Sequence, residues 1–256
     1  MSEYVKRRKP PAAGSIAEAL DIFRSEVRFY CEIAPVAGIR VPACYRSEVS
    51  DDGTVLVLED LSAWRPGADP VQAATQLREL HQRWSGLAAE RWPWLRPVGA
   101  AAGLVSELYD RTWPALVSRA DLPARLRDLA KRLAGNVVAS EQAIGAAGPL
   151  TLVHGDASLA NMRTSPDGEL ALLDWEDVSA APGIDDLAWL LLSSVQPVQW
   201  DAVIQAYGSR AGFAEVLPAI TVQGFLSLAD EPDGGEAAAA WIARLNCALD
   251  CLNREV

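Results

Sequence analysis

The segment that most constrains this chain is His154-Gly155-Asp156, with Asn161 five residues after Asp156 and Asp174 thirteen residues after Asn161. Phosphoryl transfer relies on positioning and electrostatics and needs few groups: a carboxylate that orients a hydroxyl, and oxygen ligands that hold magnesium on nucleotide phosphates. An asparagine and a second carboxylate are ligands of that kind. The spacing of these residues therefore predicts a phosphoryl-transfer site.

The charge of the chain limits its partners. Its 256 residues carry 23 basic and 34 acidic side chains, a formal charge of −11. This acidity disfavours a polyanionic partner, so we expect no nucleic-acid binding, and it is compatible with a cationic or neutral small substrate. Taken by itself, the basic run at residues 6–9 would be typical of a solvated charge cluster or a nucleic-acid patch.

No targeting or membrane segment is predicted. The basic N-terminal residues are followed by no apolar stretch of the kind found in secretory signals, and no apolar run reaches the roughly 18 residues that a membrane span needs. The four cysteines form no CxxC pair, which argues against a Cys/His zinc site. We therefore expect a cytoplasmic protein with reduced thiols and no membrane partner.

The beginning of the chain has the pattern of a small α/β unit. Apolar residues at three- and four-residue spacings predict one amphipathic helix over residues 15–34, with Ser15 as its N-cap. Two strand-like runs, at residues 40–49 and 54–59, flank the turn signal Asp51-Asp52-Gly53. This arrangement predicts a β-hairpin.

Helical patterns dominate after a Gly- and Pro-rich loop at residues 62–70. Helices are predicted over residues 71–84, 103–118 and 122–143, and again over much of the chain after residue 184. Two short apolar runs, at residues 150–154 and 170–175, are separated by the turn signal Ser165-Pro166-Asp167-Gly168. They predict two strands around a turn.

At His154-Gly155-Asp156, Asn161 and Asp174 the chain resembles the aminoglycoside phosphotransferase and choline kinase-like superfamily. Three more segments are similar to that family: VLEDL at residues 57–61 resembles its hinge strand, LRELH at 77–81 the helix after the hinge, and PGIDDLA at 182–188 its G-x-x-x-DLA run. Residues 23–30 resemble most closely the ecdysteroid kinase-like branch and its bacterial relatives.

The resemblance implies an α+β, bilobal protein kinase-like fold. A small, truncated N-terminal β-sheet lobe is expected at residues 1–61, and a larger, mostly helical C-terminal lobe at residues 62–256. The second lobe would contain a catalytic loop at 154–161 and a metal-binding segment at 172–176. The implied activity is that of an ATP- and Mg²⁺-dependent kinase acting on a hydroxyl of a small molecule.

The resemblance also implies roles for individual residues. Asp156 would be the catalytic base that orients the substrate hydroxyl, and Asn161 and Asp174 would bind magnesium. His154 and Asp186 would support the loop without reacting. In isolation, each of these side chains also has a purely structural interpretation, such as an aspartate that hydrogen-bonds its own turn.

Three further polar residues lie near these motifs in the sequence. Glu176, two residues after Asp174 and on the same face of an extended segment, is a further candidate for metal or acceptor contact. His81 lies inside an apolar-periodic helix and is expected to be packed or capping. Asp185 is expected to be solvated.

Nucleotide contacts are expected from the first lobe. Lys6 would contact nucleotide phosphates and form an ion pair with Glu26, the pair that kinases need. Alternatively, Lys9 or another basic residue of the run contacts the phosphates, or none of these residues does. Glu59 and Leu61 would offer backbone groups to adenine, because a strand that crosses into a hinge leaves an unpaired N–H and C=O.

One part of the family pattern is missing. In the family a glycine-rich loop precedes the lysine strand, whereas only Met1-Ser2-Glu3 precede Tyr4-Val5-Lys6 here, and Gly14 follows the lysine. The alternative function is therefore a catalytically weak, pseudokinase-like remnant that binds a nucleotide or a partner. A homodimer or a partner protein would then cover the exposed edge of the small sheet.

The acceptor is not identified by the sequence. An aminoglycoside-, choline- or sterol-like hydroxyl compound is compatible with the resemblance. Five tryptophans are candidates to stack on an acceptor, although core packing is the commoner use of such residues; they are Trp64, Trp84, Trp92, Trp94 and Trp113.

Overall fold

A three-stranded antiparallel sheet, in the order β1-β3-β2, forms the N-terminal part of the computed structural model, which describes residues 2–253. Its strands are β1 (Glu3–Arg8), β2 (Cys44–Ser50) and β3 (Gly53–Glu59). The predicted hairpin is confirmed, because β2 pairs with β3 and Ser50 lies opposite Gly53. A Cβ at Gly53, whose φ is +122°, would lie 2.0 Å from the Arg8 carbonyl oxygen, so only glycine fits.

The predicted helix over residues 15–34 is wrong as a single element. The structure has α1 (Ile16–Ala19), α2 (Ile22–Arg28), a π-helical turn (Phe29–Ile33) and a 3₁₀ turn (Ala34–Val36). Ser15 does cap the start, since its Oγ accepts from the Glu18 amide at 3.2 Å. The break occurs at Asp21, which has a φ of +50°. A left-handed residue redirects the helix axis without changing the spacing of apolar residues, so periodicity does not detect it.

Nine α-helices follow in the described part of the chain, most of them after residue 100. They are α3 (Pro70–Trp84), α4 (Ala88–Arg91), α5 (Ala102–Ser118), α6 (Ala124–Leu133), α7 (Val137–Ala143), α8 (Ile184–Ser194), α9 (Trp200–Tyr207), α10 (Phe213–Ala229) and α11 (Glu236–Leu252). None of the helices within residues 2–253 is long and apolar enough to cross a membrane.

Helix α10 lies at the centre of the helical part, where it packs against α5, α7, α8 and α11. Its buried residues lie on all sides, as expected of a helix surrounded by others. The predicted helix over residues 122–143 is wrong as one element, because it is divided into α6 and α7. Gly135 between them has a φ of +78°, a conformation that ends a helix.

Two small sheets hold the segments that carry the sequence motifs. One has the order β4-β7-β8 and the other the order β5-β9-β6. Their strands are β4 (Arg65–Pro66), β5 (Arg96–Pro97), β6 (Leu150–Val153), β7 (Met162–Thr164), β8 (Leu170–Leu172) and β9 (Ser179–Pro182).

The predicted strands at 150–154 and 170–175 exist in shorter form, but they are not joined by the turn at 165–168. They belong to different sheets, and the turn joins β7 to β8. Strand β7 has three residues, too few to give a recognisable alternation. The motif 154–161 therefore lies between β6 and β7, and Asp174 follows β8.

The two parts of the molecule share one hydrophobic core. Trp175 is fully buried, and its ring stacks on Phe29 with centroids 4.0 Å apart and planes within 7°. The indole of Trp84 donates to the Ala37 carbonyl at 3.1 Å, a second link between the parts. The structure therefore has the expected bilobal, protein kinase-like arrangement, with a small sheet-containing part packed on a larger helical part. The division at residue 61 remains a prediction. A dimer or a partner protein over the small sheet also remains a prediction.

We expect Trp175→Ala to lower the free energy of unfolding by about 3–5 kcal/mol, because it removes a fully buried aromatic ring and leaves a cavity. Trp64→Ala is the matched control, since Trp64 is only half-buried on a loop. Urea unfolding of both variants measures the effect. Equal losses in the two variants would contradict this account of the interface between the parts.

Candidate functional site

The loop after β6 is folded around His154. The Asp156 amide donates to Nδ1 of His154 at 3.2 Å, so the ring proton is on Nε2, which donates to the Leu173 carbonyl at 2.7 Å. A Cβ at Gly155, where φ is +85°, would lie 2.2 Å from the Asp177 carbonyl oxygen, so only glycine fits. His154 therefore has the geometry that a bracing residue needs.

Asp186, near the start of α8, holds the same loop by accepting hydrogen bonds from its backbone amides. Its Oδ2 accepts from the His154 amide at 2.8 Å and its Oδ1 from the Gly155 amide at 2.9 Å. Burial favours protonation, but His81 at 3.0 Å and these amides outweigh it and hold the pKa of Asp186 below its ordinary value. His81 is packed as expected, and its other ring nitrogen contacts the Tyr207 hydroxyl at 2.9 Å.

Both oxygens of Asp156 are held by donors. Asn161 Nδ2 donates to Oδ2 at 2.8 Å, and the indole of Trp189 donates to Oδ1 at 2.6 Å. Asn161 also donates to the Asp156 carbonyl at 3.1 Å. The two donors thereby fix the carboxylate in one orientation.

Asn161 and Asp174 are brought together by the β7–β8 hairpin. Met162, which follows Asn161, is paired in the sheet with Leu172, which lies two residues before Asp174. The Leu173 amide donates to the Asn161 carbonyl at 2.8 Å, while the Leu173 carbonyl accepts from His154. Asp174 itself has a φ of +60°, a conformation uncommon for residues other than glycine and found at functional sites.

Lys6 lies among three carboxylates that come from two parts of the chain. Its Nζ is 2.8 Å from Glu26, 2.6 Å from Asp174 and 3.5 Å from Glu176. Desolvation lowers the pKa of Lys6, but the charges of Glu26 and Asp174 outweigh it and the pKa is raised. Burial raises the pKa of Glu26 to about 6. The carboxylate oxygens of Glu26, Asp174 and Glu176 lie within 4.8 Å of one another.

A first cavity, of about 320 Å³, connects this cluster to the hinge. Lys6, Glu26, Asn161 and Asp174 line it together with the hinge residues 59–61. Glu59 is engaged within the protein: its side chain accepts from Arg40 at 2.6 Å and its amide donates to Ala43. Although burial alone would raise it, the pKa of Glu59 is lowered by Arg40 and by the Ala43 amide.

A second cavity, of about 470 Å³, lies in the helical part. Asp156, Asp177, Asp185, Glu141 and Trp189 line it. Asp156 faces this cavity, and its hydrogen-bond partner Asn161 faces the first one. The hydrogen-bonded pair of Asp156 and Asn161 therefore lies between the first and the second cavity.

The expectation that Asp185 is solvated holds only in part, because the residue is half-buried and its Oδ1 is inaccessible and has no hydrogen-bond partner. Trp189 was missed altogether, although it lies three residues after Asp186, one helical turn along α8. That spacing could have placed it beside the loop. None of the five tryptophans considered from the sequence lines either cavity, and Trp84 and Trp92 are core residues in edge-to-face contact.

Comparison with known families matches residues 2–220 to the phosphotransferase enzyme family abbreviated APH. The chain belongs to this family. No curated protein matches it. Membership of this family explains why the HGD motif at residues 154–156 and the DLA run occur together in this sequence.

Solved structures share the fold at low sequence identity. The choline kinase LicA from Streptococcus pneumoniae has a TM-score of 0.60 and 18% identity, over 98% of this chain and 86% of that one. An aminoglycoside phosphotransferase from Alicyclobacillus acidocaldarius has a TM-score of 0.58 and 16% identity, and the match covers 98% of this chain and 85% of that one. A spectinomycin phosphotransferase, solved with ADP and spectinomycin, has a TM-score of 0.57 and 11% identity, over 96% and 85%.

We expect Trp189→Phe to lower kcat for phosphate transfer by roughly tenfold with little change in KM for the nucleotide, because the indole N–H that fixes Asp156 is lost while an aromatic ring is kept. Trp241→Phe is the matched control, since its ring lies 6.1 Å from that of Trp189. Steady-state kinetics of ADP release measures both. An unchanged kcat in Trp189→Phe would refute the positioning role.

Proposed function

We propose that this phosphotransferase moves the γ-phosphate of ATP, with Mg²⁺, to a hydroxyl of a small molecule. The observation that carries the proposal is the Asp156–Asn161 pair, which separates a cavity lined by Lys6 and Asp174 from a second, acid-lined cavity. A nucleotide in the first space and an acceptor in the second would meet at this pair.

Among the described residues that line the nucleotide side are the basic residues Lys6, Arg8 and Arg163. Lys6 is 12% exposed and is held by the nearly inaccessible Glu26, so its ammonium is fixed at the cavity wall where phosphates would lie. The amides of Glu59 and Asp60 already donate to Ala43 and Ser2. The Leu61 amide is therefore the donor that we propose for adenine, with Glu59 supplying its carbonyl.

The donor set fits a magnesium ion. Asp174 is 39% exposed at the cavity, and its carboxylate lies near Glu176 while Asn161 approaches from the adjoining hairpin. Oxygen ligands of this kind, with room for phosphates and water, are what magnesium requires. Asn161 and Asp174 would hold the ion, which when bound neutralises charge on the phosphates.

The acceptor side supplies the base. The acceptor oxygen forms a bond to phosphorus as the bond from phosphorus to the oxygen of ADP breaks, and the hydroxyl proton passes to Asp156. Asn161 and Trp189 keep the carboxylate oriented during this step. His154 and Asp186 hold the loop and take no part in the chemistry.

We expect Asp156→Asn to reduce phosphate transfer by about 10³-fold or more and to leave Mg-ATP binding nearly unchanged, since the isosteric amide cannot take the proton. Asp174→Asn should instead weaken Mg-ATP binding. Asp201→Asn, an exposed site on α9, is the control. ADP release over a panel of hydroxyl compounds measures transfer, and calorimetry measures Mg-ATP binding.

Two outcomes would redirect the assignment. Mg-ATP binding by the wild-type protein without transfer to any hydroxyl compound would support the alternative, a pseudokinase-like nucleotide-binding protein. Absence of Mg-ATP binding, together with an Asp174→Asn variant that behaves like wild type, would remove the kinase assignment.

A further inference from the structure

Strand β1 presents a second cation to the first cavity, two residues after Lys6. Side chains at positions i and i+2 of a strand lie on the same face of a sheet, and both Lys6 and Arg8 line this cavity. Arg7 lies between them on the opposite face and is exposed. Part of the basic run at residues 6–9 therefore belongs to the cavity wall and not to a solvated charge cluster.

The pairing of β1 with β3 places Arg8 toward the end of the cavity that is farther from the hinge. Glu3 lies opposite the hinge residue Glu59, whereas Arg8 lies opposite Thr54. At the usual rise of about 3.3 Å per residue, Arg8 is roughly 7 Å beyond Lys6 along the strand. A nucleotide whose base contacts the hinge would extend its outer phosphates in this direction.

The Arg8 guanidinium is held in place but uses few of its donors. Its Nη2 donates to Glu176 Oε2 at 3.2 Å, and its Cζ lies 5.3 Å from the centre of the Phe23 ring on α2. Its Nε is inaccessible and has no hydrogen-bond partner within residues 2–253. A guanidinium has five N–H donors, so most of this capacity is unused. The side chain is 39% exposed, so a ligand in the cavity can reach it.

The third basic residue of the cavity wall, Arg163, is engaged differently. Its Nη1 donates to the carbonyls of Ala160 and Met162, at 3.1 and 2.8 Å. These bonds hold the side chain against the backbone that surrounds it in the sequence. Arg8 is instead bonded to a carboxylate from a distant segment, a partner that an anionic ligand can replace.

Glu176 connects the two cations of β1. Its Oε2 accepts from Arg8 at 3.2 Å and from Lys6 at 3.5 Å, and one of its oxygens lies within 4.8 Å of oxygens of Glu26 and Asp174. These carboxylates supply the counter-charge of both cations. When Asp174 holds magnesium, as proposed above, the ion takes up part of that counter-charge, and phosphate oxygens can replace it.

We propose that Arg8 is a second phosphate-binding residue, which exchanges Glu176 for oxygens of the outer phosphates of a nucleotide bound beside Lys6. This role rests on the phosphotransferase function proposed above. A guanidinium suits it because its planar donors match the geometry of phosphate oxygens. Lys6 is then the inner cation of the pair, and Arg8 is the outer one.

Substitution of Arg8 should weaken only those ligands that have outer phosphates. We expect Arg8→Gln to lower the affinity for Mg-ADP and Mg-AMP-PNP by roughly tenfold or more, because a charge-assisted bond is lost, and to leave the affinity for AMP nearly unchanged. Arg7→Gln is the matched control, since it makes the same change on the opposite face of the same strand. Calorimetry at fixed ionic strength measures all three ligands.

A purely structural ion pair between Arg8 and Glu176 predicts a different pattern, which a double-mutant cycle separates. In that case Arg8→Gln has no further effect once Glu176→Gln has removed the partner. If Arg8 binds phosphate, its loss still lowers the affinity for Mg-ADP in the Glu176→Gln background. Melting temperatures of the ligand-free variants show whether each is folded. If Arg8→Gln does not fold, Arg8→Lys replaces it, with a smaller loss for Mg-ADP and none for AMP, because the charge is kept but the planar donors are not.

Three results would overturn the role of Arg8. They are equal Mg-ADP affinities in Arg8→Gln and Arg7→Gln, equal losses for AMP and Mg-ADP, and a loss that disappears in the Glu176→Gln background. A loss in Arg163→Gln with none in Arg8→Gln would likewise overturn it and assign the role to Arg163. Each of these results leaves the phosphotransferase function intact if wild-type protein binds Mg-ADP. Absence of Mg-ADP binding by the wild-type protein would instead remove both proposals.

Discussion

The buried carboxylate of Asp186 is the interaction on which the functional region depends. A charge without hydrogen bonds would be strongly unfavourable in this interior, and here the amides of His154 and Gly155 and the ring of His81 satisfy it. The two amides fix the start of the loop, and the His154 ring then holds Leu173. Because Leu173 also donates to Asn161, a single carboxylate indirectly sets the positions of Asp156, Asn161 and Asp174.

The neighbouring Asp185 shows how strongly the surroundings decide the properties of a side chain. Both aspartates lie in the first turn of α8, yet the pKa of Asp186 is lowered by its donors whereas burial raises that of Asp185 to about 8. The first residue holds the loop through its bonded donors, while one oxygen of the second is buried without a hydrogen-bond partner. Proteins retain such locally unfavourable groups mainly at functional sites.

Much of the fold and part of the site could be predicted from the sequence, for identifiable reasons. The hairpin around Gly53 and the helix predicted over residues 71–84 follow from local signals, and the structure contains both, the helix as α3. The helix breaks at Asp21 and Gly135 could not be read from apolar spacing, because the spacing continues across each break. The roles of the metal and nucleotide residues remain predictions, although the structure brings Lys6, Glu26, Asn161 and Asp174 to one cavity.

The sequence by itself determined the family, because the residues of the HGD motif and of the DLA run occur in it at the spacings typical of that family. Only the tertiary structure decided which groups meet across the chain. The hydrogen bond from Trp189 on α8 to Asp156 in the loop after β6 joins residues that are 33 positions apart in the sequence. Burial and charge are properties of that packing, so they cannot be read from residue types alone.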